Sequence, residues 1–203
     1  MRANEFIVEG KNHPIIVVDV QPTYAYYGNE SRCEDIVRFV STQTGPVLMY
    51  VNAEDQMMSD DTLIDIQIYW DEIMADTINW DRFDIVDKGH GYLRSWKDYG
   101  VSQAGIIKTI RTLYQQKKSD SRELFDGADS DSYKADMQEL LGGDYQDFLL
   151  SDPLTVNWIS IAQLKKFSGA YLVGGGRDEC LWEIMTIMNA FNINYRLIDR
   201  LIY

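Results

Sequence analysis

Three residues that could do nucleophilic chemistry each follow an apolar run: Asp19 in "IIVVDVQP", Lys88 in "FDIVDKG" and Cys180 in "YLVGGGRDECLWEI". A partly desolvated carboxylate beside a cation can accept a proton, and a lysine can be that cation. A thiol in the first turn of a helix meets backbone N–H groups and the positive end of the helix dipole. Both favour thiolate and could hold a developing oxyanion. Each residue also has a plainer reading: Asp19 as a loop cap or structural ion pair, Lys88 as an exposed lysine, Cys180 as a small buried residue at a helix start. Asp178 and Glu179, next to the thiol, oppose its ionisation if they point inward.

The glycines at 174–176 lack the G-x-G-x-x-G spacing and no G-K-[ST] follows, which weighs against a nucleotide-phosphate loop. Asp19, Asp178 and Glu179 could instead be divalent-metal ligands of a carboxylate nuclease, with Lys108, Arg111, Lys117, Lys118 and "KKFSG" as a basic groove. Against that, 32 acidic residues outnumber 19 basic ones, and a net charge of −13 repels phosphate backbones and anionic headgroups. Two histidines are too few for a histidine-rich metal site, and no cofactor is expected.

The elements that must position these residues are legible in outline. Ile15–Val18 is a continuous β-branched run, as a strand buried on both faces reads, and "GPVLMYVN", "FDIVDKG", "AYLVGG" and "YRLIDRLIY" supply four more strands. Helical patterns lie between them. "SRCEDIVRFVSTQ" takes Ser31 as its cap and puts Cys33, Ile36, Val37 and Val40 on one face, so Cys33 is expected in the core. Leu63, Ile66, Trp70, Ile73 and Met74 form a second stripe, capped by Ser59 or Asp60. Ile106, Ile107, Ile110, Leu113 and Tyr114 form a third, and "VNWISIAQLKKF" and "DECLWEIMTIMNAF" supply two further helices.

Strands alternating with helices predict an α/β fold, a three-layer α/β/α domain with a mainly parallel sheet spanning 1–203. An acidic, partly helical insertion is expected at about 97–157. In such sheets, functional groups collect at the C-terminal strand ends where the strand order reverses. That rule selects Asp19, Asn52 with Glu54 and Asp55, Lys88 and the 174–180 loop. No apolar run approaches the ~20 residues needed to cross a bilayer, and the N-terminus has no signal-peptide core. A cytoplasmic protein without a membrane partner is expected.

"IIVVDVQPTY", with Asp19, Gln21 and Tyr24, resembles the opening strand of the isochorismatase-like cysteine hydrolases. "DIVDKGHGY" is similar to the strand carrying that family's lysine, here Lys88, and "YLVGGGRDECLWEI" to its final motif, with Gly174 and Cys180 in register. The likeness covers roughly the first 95 and last 45 residues, and it rests on the order and strand-end placement of motifs that are individually weak. It implies a Rossmann-like topology in which Cys180 attacks an amide-like carbon, Asp19 accepts its proton and Lys88 stabilises the pair. Backbone N–H groups around Glu179 and Cys180, with Gly174, Gly175 and Gly176, would shape the oxyanion site. The family often has a non-proline cis bond where Gly175–Gly176 falls. Gln21, Tyr24 and Arg177 would face a small-molecule substrate, and Arg177 stands where the family usually has Thr or Ser. Enzymes of this class also form homo-oligomers. A catalytically silent binding or assembly protein is the alternative, with Trp96, Tyr99 and Tyr133 as partner surface.

Overall fold

A computed structural model describes residues 12–52, 61–75, 77–87, 97, 100–117 and 160–203. It divides into two compact units: Met1–Asp87 with Phe167–Arg177 and Tyr195–Tyr203, and Lys88–Lys166 with Asp178–Asn194.

The first unit holds the sheet. Its strands are β1 (Ile15–Val18), β2 (Val47–Val51), β3 (Phe83–Asp87), β4 (Ala170–Gly174) and β5 (Tyr195–Leu197), all paired in parallel in the order β3-β2-β1-β4-β5. Every residue of β1, β2 and β4 is buried, which is why those segments read as unbroken apolar runs rather than alternating ones. Because β2 and β4 flank β1 on opposite sides, the strand order reverses at β1 and β4.

Between β1 and β2 the chain forms α1 (Pro22–Tyr24), a π-type turn over Ala25–Asn29 that is kinked at Tyr27 and Gly28, the latter at φ 91°, and α2 (Glu30–Ser41). Ser31 does not cap α2, because the helix begins at Glu30, continuing from the π turn, and its N-cap Asn29 makes no side-chain cap bond. The expected apolar face is present: Cys33, Ile36, Val37 and Val40 are all fully buried against β1 and β2. The next helix, α3 (Leu63–Met74), is capped by Thr62 rather than Ser59 or Asp60. The Thr62 hydroxyl accepts from Asp65 N–H at 3.0 Å, and the Asp65 carboxylate accepts from Thr62 N–H at 2.9 Å. Of the predicted stripe, Ile66 and Trp70 are fully buried, whereas Leu63, in the first turn, is exposed. Trp70 also uses its polar edge, donating from Nε1 to Val20 O at 2.9 Å.

The last predicted strand is shorter than its apolar pattern suggests. After β5 the chain turns through a 3₁₀ segment, Asp199–Leu201, whose Asp-Arg pair breaks the run.

The second unit contributes α4 (Gln103–Lys117), α5 (Ile161–Lys166) and α6 (Cys180–Ala190). Ile106 and Ile110 are buried as predicted. Arg111 reaches from α4 to the C-terminal end of α6, donating to the Ala190 and Asn189 carbonyls. A cation there satisfies carbonyls that the helix leaves open. Of the predicted insertion at about 97–157, Lys97, Gly100–Ser102 and α4 are described, and 118–157 lie outside the described residues.

Candidate active site

The strand-order reversal puts two unusual turns side by side. Val18, the last residue of β1, is paired with Gly174, the last of β4. Asp19 follows with φ 55°, in the left-handed region that non-glycine residues rarely enter, and it is 2% exposed. Its N–H continues the ladder to Tyr50 O at 2.9 Å, and its carbonyl accepts the Tyr203 hydroxyl. Strain of this kind at a buried carboxylate on a sheet rim is a recurrent mark of functional sites.

The adjoining turn explains two of the three glycines. Gly174 has φ 78°, and a Cβ there would sit 2.2 Å from Val18 O, so both backbone conformation and the approach of β1 exclude a side chain. Gly175 is also left-handed at φ 60°, while Gly176 is not. The described residues contain no cis peptide bond. The expected cis bond at Gly175–Gly176 is therefore absent, and the chain reverses through the two left-handed glycines instead.

Gln21 is fully buried and its amide behaves as an extra rung between β1 and β2. Its Oε1 accepts from Asn52 N–H at 2.9 Å and its Nε2 donates to Asn52 O at 2.8 Å. Nε2 also donates to Asp61 Oδ2 at 2.9 Å, an oxygen that accepts Thr23 N–H as well. The Tyr24 hydroxyl accepts from Asn52 Nδ2 at 3.3 Å. Asn52 Oδ1 is buried with no hydrogen-bond partner among the described residues, an acceptor held on the rim by this frame. Arg177 is half exposed and forms an ion pair with Asp199.

The first unit thus brings together Asp19, Gln21 and Tyr24 on one strand end and Gly174, Gly175, Gly176 and Arg177 on the next. Glu179 and Cys180 belong to the second unit. Glu179 is the N-cap residue of α6 without a side-chain cap bond, and Cys180 is the first helical residue and partly exposed. Lys88, directly after β3, and Glu54 and Asp55 lie outside the described residues, as do Trp96, Tyr99 and Tyr133. Neither cysteine is in a disulfide. Cys33 is core, and burial pushes its thiol up to about 11 against the opposing effect of hydrogen bonds with Tyr203 and Tyr69.

Three polar residues escaped the sequence reading. Asp61 is hidden in the polar run "SDDT". Glu183 is 1% exposed and one helical turn beyond Cys180; a carboxylate inside the apolar pattern "CLWEIM" was the available signal. Tyr203 has no local signal, because its bonds reach residues far away in sequence. Among the described residues no group of three or more His, Cys, Asp or Glu could hold a metal ion. An open pocket of about 630 Å³ in the first unit is lined by the π-helical turn and Tyr69 and includes none of the predicted site residues.

No family model, no curated protein and no solved structure matches this chain, so its candidate site rests on the strand order and the side chains themselves.

Proposed function

We propose that the protein is a cysteine hydrolase that cleaves a C–N, amide-like bond of a small molecule, built on a three-layer isochorismatase-like domain. The observation that carries this reading is Asp19: a buried, left-handed carboxylate at the strand-order reversal, beside the glycine turn that leads towards the helix opened by Cys180.

In this mechanism Cys180 gives its proton to Asp19 and its sulfur attacks the carbonyl carbon, forming a C–S bond. The negative charge moves to the carbonyl oxygen, where N–H groups of the first turn of α6 receive it. As the tetrahedral intermediate collapses, the C–N bond breaks and the amine leaves with the proton held by Asp19. Water then hydrolyses the thioester, releasing the acid and restoring the thiol. Lys88 supplies positive charge that favours the thiolate, and Arg177 contributes to substrate selection.

The exposed Tyr26 and Tyr27, at 90% and 74%, and the exposed Leu63, Ile64 and Ile68 on α3 favour a second reading, a silent binding or assembly module. No helix among the described residues is long and apolar enough to cross a membrane, and a cytoplasmic setting is proposed with the chemistry.

Turnover of p-nitrophenyl acetate and of a panel of small chromogenic anilides decides between the readings. Wild type and Cys33→Ala should turn over, whereas Cys180→Ala should lose at least ~100-fold. Equal turnover in Cys180→Ala, or none in wild type, would remove the hydrolase reading.

A further inference from the structure

Tyr203 touches both strand ends of the rim. Its hydroxyl donates to the Asp19 carbonyl and lies 3.5 Å from Val18 O, so it is bonded to the residue that holds the left-handed conformation. Its main chain pairs with the other turn: Tyr203 N–H donates to Gly175 O at 3.2 Å, and Arg177 N–H donates to Tyr203 O at 3.2 Å. One residue therefore bridges the backbone after β1 and the backbone after β4. Arg32, on α2, fixes the approach to it by donating to the Ile202 carbonyl.

The bond to Asp19 matters because that conformation is intrinsically unfavourable. A non-glycine residue in the left-handed region is strained and persists only where the surroundings hold it. The Asp19 N–H is tied to Tyr50 O, and the Tyr203 hydroxyl ties the other side of the same residue. Burial first, then the neighbouring Cys33 and Asp19, push the Tyr203 phenol well above its ordinary value, so it remains a donor through the physiological range.

We infer that Tyr203 is a positioning residue: its hydroxyl fixes the Asp19 turn while its main chain fixes the Gly175–Arg177 turn, giving the proton acceptor and the glycine loop a common geometry. This rests on the hydrolase reading for its catalytic consequence and on the hydrogen bonds alone for its structural one. Misplacing a catalytic group by about 1 Å can cost on the order of 100-fold in rate, so one lost hydroxyl can be read kinetically.

The test is Tyr203→Phe, which keeps the ring in place and removes only the oxygen. Amide hydrogen exchange compares Asp19 with Ile15, whose N–H bonds to Pro46 O at 3.0 Å at the other end of β1. The expected result is exchange at Asp19 faster by ~10-fold with Ile15 unchanged. With p-nitrophenyl acetate, kcat should fall ~10-fold while KM stays within ~2-fold. Equal acceleration at Asp19 and Ile15 would show a global stability effect and overturn the inference, as would no change at either. A local exchange change with kcat unaltered would assign the hydroxyl to fold maintenance and also overturn it. If wild type shows no turnover, or Cys180→Ala turns over the ester as fast as wild type, the hydrolase reading fails, and the exchange arm alone still decides whether the hydroxyl holds the Asp19 turn.

Discussion

Cys33 and Cys180 show how position separates two identical side chains. Cys33 is fully buried between α2 and the sheet, and the cost of charging it there raises its thiol from 9.0 to about 11. The folded state then binds a proton that the unfolded chain releases, so this stability is complete below about pH 9 and is lost as the pH rises towards about 11. Tyr69 and Tyr203 are also raised by burial and act in the same direction at higher pH. Urea unfolding should therefore show a falling midpoint from pH 9 upward, and Cys33→Ala should flatten the first part of that fall. A fall of the same steepness in Cys33→Ala would refute the role given to this thiol. The apolar spacing around Cys33 foretold its burial, because a helix face is written locally in sequence. Gln21 was harder to read. The sequence suggests a substrate contact, and the structure shows an amide whose oxygen and nitrogen bond Asn52 and Asp61.

At the scale of elements, the sheet was readable and the turns less so. Strands buried on both faces leave uninterrupted apolar runs, as Ile15–Val18 and Val47–Val51 do, whereas the edge strand Phe83–Asp87 is interrupted by the exposed Asp84. Helix starts depend on one side chain meeting one N–H, so Thr62 displaced the expected cap and the π turn displaced Ser31. The final strand was over-read because apolar content continues through Leu201 and Ile202 after the backbone has left the ladder. The glycine turn gives a quantitative check. Gly174→Ala must place a methyl 2.2 Å from a carbonyl at a positive φ, and should destabilise the protein by about 2–4 kcal/mol. Gly176→Ala, without a positive φ, should cost less than about 1 kcal/mol by urea denaturation. Equal costs at the two positions would refute this account of the turn.

For the molecule as a whole, the alternation of strands and helices was enough to identify an α/β chain with a parallel sheet, since parallel strands require crossover connections. The strand order was not legible, because it depends on which side of β1 each later strand joins. That order, with β4 beside β1, turns Asp19 and the glycines from separate motifs into one rim. The claim that this rim serves a nucleophile is tested most directly by the alkylation rate of Cys180 with iodoacetamide at pH 7, followed by peptide mass mapping. Buried Cys33 is the internal control in the folded protein, and the urea-unfolded chain is the reference for an ordinary thiol. Native Cys180 should react at least ~10-fold faster than in the unfolded chain, and Asp19→Asn should slow it substantially. Native Cys180 reacting no faster than the unfolded thiol, with Asp19→Asn unchanged, would contradict the nucleophile assignment.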